Sequence, residues 1–205
     1  MKIRRPLKRG WKTLAIFKRY SKSGLWLLFL TTAFPIHLWT IILFLRDFSW
    51  VAERTNAWDA VGVAAYGMVF AFVESVIVFA VIVLLGFLLP LQWEENKRLS
   101  FLSLLIFIVG LWAILGQLYF LLGLGLPTSL IQLLASSSHP LRLLYGGLFL
   151  LVLLSVFVPV YLFLRSDRVY HSIHNLIERL AVLSALYLFF DLIGLFIIVI
   201  RNVTW

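Results

Sequence analysis

Residues 60–89 read AVGVAAYGMVFAFVESVIVFAVIVLLGFLL, thirty residues with a single charge at Glu74 and no proline. The hydrocarbon core of a bilayer is about 30 Å thick, and a helix rising about 1.5 Å per residue crosses it with about 20 apolar residues. This stretch exceeds that requirement. A transmembrane β-strand would be about ten residues long with alternating apolar and polar positions, a pattern absent here, so the segment is read as a membrane helix.

Four runs of the same kind flank it, at 24–45, 99–122, 141–164 and 180–200. Over all 205 residues 62% are hydrophobic and 13% charged, and the mean hydropathy is +1.01. A soluble fold has nowhere to bury that much apolar surface. The expected fold class is therefore an all-α integral membrane protein. One bundle of about five transmembrane helices covers 24–205, behind a basic segment at 1–23. No repeat or low-complexity tract divides the bundle. Basic residues precede the first run as in a signal peptide, but the run is longer than an h-region and no small-x-small cleavage site follows. A retained signal anchor is expected.

The net charge of +9 is not spread as in a nucleic-acid-binding protein, since nine of the 18 Lys and Arg residues precede Ser23. With the N-terminus in the cytoplasm, fourteen basic residues fall inside against four outside (Arg46, Arg54, Arg142 and Arg201). Five spans then place the C-terminus on the extracytoplasmic side. Trp26, Trp50, Trp58, Trp93 and Trp205 fall near span ends, where indole rings prefer the interface. The expected location is a bacterial cytoplasmic (inner) membrane, with no nucleic-acid partner.

Within the basic segment, Leu7, Trp11, Leu14 and Phe17 recur at helical spacing, while Lys8, Lys12, Arg19 and Lys22 gather on another side. This is the pattern of an interfacial amphipathic helix whose cations meet anionic lipid headgroups, each contributing about 1 kcal/mol near the surface. A plain positive-inside anchor accounts for the same residues. Between the third and fourth runs, Pro127, Thr128 and Ser129 mark the start of a short helix reaching Ala135, re-entrant or interfacial. Val169, Ile173, Leu176, Ile177 and Leu180 continue at helical spacing into the fifth run, with Ser166 or Asp167 as N-cap, predicting one long helix.

Two carboxylates lie deep inside spans. Glu74 shares a helix face with Ala64, Gly67, Ala71 and Val78, and this small-residue stripe predicts that it points into the bundle or an oligomer interface. Asp191 shares a face with Ser184, Tyr187 and Gly194, at a depth expected to be similar to that of Glu74. An ionised carboxylate at mid-bilayer costs roughly 3 kcal/mol, so each needs a partner or a proton. No Lys or Arg occupies a span centre; the nearest base is His37 in the first run. Glu74, Asp191 and His37 are thus candidates for a proton relay or cation site. The plainer account, neutral hydrogen-bonding groups that hold helices together, takes precedence. Pro35 frees a backbone carbonyl on the first span or kinks it.

Other chemistry finds little support. His171, His174 and Glu178 fall at i, i+3 and i+7, but a solvated face explains them better than a metal site, and the order is not HExxH. No second histidine sits across from His37 for haem, and no nucleotide-binding or hydrolase motif occurs. Cysteine is absent, which removes thiolate ligands and thiol nucleophiles. No cofactor is expected. An enzyme acting on lipids would have to draw on interfacial groups such as Asp47, Glu53, Asp59, His139, His171 and His174, which nothing groups together. Asn202, Val203 and Thr204 spell a glycosylation sequon, too close to the membrane for use. The expected role is a non-catalytic multi-pass subunit or scaffold of a larger complex, partnered by another membrane protein or a second copy. The alternative is a small proton- or ion-coupled transporter using midplane carboxylates.

Overall fold

The computed structural model describes residues 19–203 and shows an all-helical membrane-spanning bundle. Its helices are α1 (Lys22–Arg54), α2 (Ala57–Gly86), α3 (Glu95–Leu121), α4 (Thr128–Ala135), α5 (Pro140–Arg165) and α6 (Asp167–Val203). All but α4 are long and apolar enough to cross a membrane. The amphipathic helix expected before Arg19, with Lys8 and Lys12, lies outside the described residues.

Local chemistry sets the boundaries. The Ser21 hydroxyl caps α1 by accepting from the Gly24 amide at 2.9 Å, and the Asn56 side chain accepts from the Asp59 amide at 2.8 Å to start α2. At the end of α3, Gly123 takes φ +61°; its amide donates to the Phe120 carbonyl and the Leu124 amide to that of Tyr119. That pairing is a Schellman termination, which favours glycine at the left-handed position. Pro140 opens α5, where its missing N–H costs nothing. The helix at 128–135 and the unbroken α6 match the sequence reading.

Helix ends differ from the hydropathy limits where polar residues continue the helix. Thus α1 runs nine residues past Leu45, through Arg46 and Asp47 to Arg54, because leaving the bilayer does not oblige a helix to stop. It also passes Pro35 unbroken, with Gly110 of α3 opposite the proline ring; a Cβ on Gly110 would lie 2.8 Å from Pro35 Cβ.

Helix α1 is the hub, packed against α2, α3 and α6, while α6 also touches α2, α3 and α5. We call the end where α1 begins the basic end. There Tyr20, Leu28, Val83, Leu99, Leu102 and Ile106 form a buried apolar cluster. Towards the far end close contact replaces bulk, and a Cβ added to Gly194 of α6 would lie 3.0 Å from the Ala65 carbonyl of α2. Helix α5 is peripheral: of its residues only Phe163 is buried, and Leu, Phe and Val side chains cover the rest. Such a surface suits hydrocarbon and not water.

Candidate functional site: a buried histidine–aspartate pair and an outward carboxylate

The buried stripe of α6 consists of Ile177, Ala181, Ser184, Tyr187, Asp191 and Gly194, each three or four residues after the last. It lies against α1, on which His37 is fully buried. His37 Nε2 lies 2.9 Å and 3.1 Å from the two carboxylate oxygens of Asp191. On the other side of the ring, Nδ1 is 2.9 Å from the Ala33 carbonyl. Tyr187 stacks on the imidazole with ring centroids 5.8 Å apart and planes 12° apart, and on Phe34 at 6.1 Å.

This geometry fixes the proton inventory. A carbonyl only accepts, so Nδ1 carries a hydrogen and donates to Ala33. A second proton is shared between Nε2 and the Asp191 carboxyl, because two bare acceptors would repel at 2.9 Å. Whether that proton sits on nitrogen or oxygen, the pair has no net charge, which makes it tolerable in a low-dielectric interior. Among the sequence candidates, then, His37 and Asp191 meet.

Glu74 does not join them. It is exposed on α2 beside the buried Ala71 and Ser75, and its neighbours one turn away, Phe70 and Ile77, are exposed as well. Of the two expected positions, the bundle interior is not taken within this chain and the oligomer interface stays open: the buried stripe passes one residue to the side of Glu74. The expected similar depth of the two acids gives way to an offset of about a turn and a half. Ala65 backs onto Gly194 and Arg201 donates to the Trp58 carbonyl at 2.7 Å, so Asp191 lies level with Met68 in this antiparallel register. The six residues from Met68 to Glu74 correspond to about 9 Å along the helix. A three-residue relay has no geometric basis within the chain.

At the basic end, Arg19 turns inward, against the expected headgroup contact. Its guanidinium donates to the carbonyls of Gly86 at 2.9 Å and Leu89 at 3.0 Å and lies over the Phe87 ring. Lys22 is exposed at the start of α1. Arg98, which hydropathy places at a span edge, is buried and donates to the carbonyls of Trp93 at 2.8 Å and Arg19 at 2.6 Å. The two arginines pin the start of α1 to the α2–α3 loop. Sequence reasoning missed this clamp, and its only signal is a basic residue directly abutting the apolar run at Leu99. It also missed the bond between Trp112 of α3 and Ser155 of α5, donated by the indole at 2.7 Å; an indole N–H in mid-span must find an acceptor.

The three polar residues of α6 near the basic end divide. His171 is exposed, whereas His174 is half-buried with Nδ1 3.2 Å from the Ser100 hydroxyl and Nε2 3.5 Å from Glu178. No group of three potential metal ligands forms among the described residues. No protein-family model, curated protein or solved structure matches the chain.

Proposed function

We propose that this chain is a multi-pass subunit of a larger membrane assembly, and that α2 docks against a different membrane protein through the face carrying Glu74. One observation carries this reading: a carboxyl group near the middle of a membrane-spanning helix is exposed on the surface of its own chain. Facing lipid, it costs roughly 3 kcal/mol when ionised, a penalty that a helix offering a hydrogen-bond donor or a cation offsets. The described spans expose no Lys or Arg at that level, so a second copy offers no complementary charge. The positive-inside bias supports an orientation with the N-terminus cytoplasmic and the C-terminus extracytoplasmic, as in a bacterial inner membrane.

Purification in mild detergent followed by native mass spectrometry tests this. A defined stoichiometric partner, depleted in Glu74→Leu but kept in part by Glu74→Gln, is the expected result. A partner-free monomer or a homo-oligomer contradicts it.

Proton-coupled transport is a second reading, favoured by one observation: the buried His37 Nε2 lies 2.9 Å from the Asp191 carboxylate, on two membrane-spanning helices. Asp191→Asn, which preserves shape and hydrogen bonding but cannot release a proton, would then abolish pH-driven flux in proteoliposomes. Unchanged flux sinks this reading.

A further inference from the structure

Helices α1, α3 and α6 all run from the basic end to the far end, and their contacts set a common scale of levels. Leu99 of α3 lies against Gly24 of α1 and Gly110 against Pro35, the same offset at both places. On α6, Tyr187 meets Phe34 and Asp191 meets His37, again at nearly one offset. By this register Ser100 and Ser103 of α3 are level with Leu25 and Leu28 of α1, and Ser184 of α6 is level with Thr31. Ser100, Ser103, Thr31 and Ser184 are all buried. They also share one seam. Ser103 stands between Ser100, which meets His174, and Phe107, which meets Phe34. Thr31 stands between Leu27 and Phe34 on α1, and Ser184 belongs to the buried stripe of α6, one turn before Tyr187.

The seam opens at the basic end into a polar cavity of about 190 Å³, lined by Ser23, Glu95, Asn96, His174 and Glu178, the last with its side chain 62% exposed. From there the polar groups follow one another every three or four residues: His174 with Ser100, then Ser103, then Thr31 with Ser184, then Tyr187, then the His37–Asp191 pair. Each step is about 4.5–6 Å at helical rise. Two O–H···O bonds of about 2.8 Å through one water span such a gap. The Thr31 and Ser184 hydroxyls donate to the carbonyls of Leu27 and Leu180 and keep lone pairs for that water. Ser103 Oγ is buried with no protein partner, a cost that a bridging water removes. On the far side of the pair the hydroxyls stop after Thr40, and the same faces continue with Phe44 and Ile197 along a cleft whose lining is otherwise apolar as far as Asp47. A water there lacks the two to four polar partners that hold one in place.

We propose that the His37–Asp191 pair exchanges its proton with the basic end alone, through single waters seated between the hydroxyls of Ser100, Ser103, Thr31, Ser184 and Tyr187. Each hydroxyl or water accepts one proton as it gives up another, so a proton leaving the pair is replaced by one from the cavity and no buried group is left charged. The inference rests on the pair behind the second reading and adds a side and a route to it, without requiring net flux.

The test follows hydrogen–deuterium exchange of the His37 ring by nitrogen NMR of the histidine-labelled full chain in nanodiscs. Among the signals of the four histidines, those of His37 are the ones that His37→Phe removes. Valine and threonine have nearly the same shape and differ by the hydroxyl, so Ser103→Val and Ser103→Thr form a matched pair. Ser103→Val is expected to slow exchange about ten-fold, equivalent to about 1.4 kcal/mol, with Ser103→Thr close to the parent and Thr40→Val without effect. Exchange at the parent rate in Ser103→Val, equal slowing in Ser103→Thr, or slowing by Thr40→Val overturns the proposal. Flux in proteoliposomes separates this route from transport itself. Slowed exchange in Ser103→Val with no pH-driven flux in the parent keeps the route and sinks transport, whereas flux with exchange insensitive to position 103 sinks the route and keeps transport.

Discussion

His37 of α1 and Asp191 of α6 are 154 residues apart in sequence, and their side chains meet with Nε2 2.9 Å from a carboxylate oxygen. The contact ties the hub helix to the last span while carrying no net charge. Removing one partner leaves the other buried and unpaired, whereas removing both leaves an apolar joint. Double-mutant cycles on hydrogen bonds inside membranes give about 0.6 kcal/mol on average and at most about 1.7. His37→Phe and Asp191→Leu should therefore each lower the unfolding midpoint in detergent, and the double variant should be less damaged than their sum. Strict additivity would show that the pair is not coupled.

Gly194 and Gly147 make a paired prediction about backbone approach. A Cβ at 194 would stand 3.0 Å from a backbone carbonyl that has no freedom to rotate away, whereas one at 147 meets nothing within 4 Å. Gly194→Val should cost about 1–3 kcal/mol through overpacking, and Gly147→Ala should be neutral or slightly stabilising through helix propensity. Thermal unfolding of the two variants in the same detergent checks this, and equal midpoints would contradict the α2–α6 contact.

Tyr20 is buried with its hydroxyl unpartnered and pressed against Gly86. Tyr20→Phe should therefore be neutral or stabilising by about 1 kcal/mol, since an unsatisfied polar group leaves the interior. Gly86→Ala should destabilise strongly alone and less in the Tyr20→Phe background, where the obstructing oxygen is gone. Burial pushes the Tyr20 phenol above its ordinary value of 10.0, outweighing the opposing pull of Arg98 and Arg19. A raised pKa means that the folded state holds this proton more tightly. Its stabilising effect is complete below pH 10 and is lost as pH rises through the folded value. A pH series of unfolding midpoints should show a smaller alkaline loss in Tyr20→Phe than in the parent.

Particular residues show how far the sequence carried the structure. The five spans were legible because hydrocarbon demands long unbroken apolar runs, and the α6 stripe of Ser184, Tyr187, Asp191 and Gly194 was legible because helical spacing alone groups those residues. Which of its two expected positions Glu74 takes was not legible, for a physical reason. Ala71 and Ser75 bury one line of α2, and a residue beside that line faces inward or outward depending on how α1 and α6 clamp the helix. Periodicity is weak on a helix that is apolar all round. The partnership of His37 with Asp191 and the inward turn of Arg19 and Arg98 rest on helix adjacency, which one sequence does not encode locally. The far end of α1 shows the same limit, since hydropathy marks the bilayer edge at Leu45 and the helix continues to Arg54.

The central claim is that another polypeptide covers the Glu74 face, and because the chain has no cysteine, single introduced cysteines report without background. A photoreactive label at Ile77, exposed one turn from Glu74, is compared in native membranes with one at Val182, exposed on α6. The account predicts one discrete protein adduct of defined mass from position 77, weakened by Glu74→Leu, and only lipid adducts from position 182. Lipid adducts alone from both positions would contradict it.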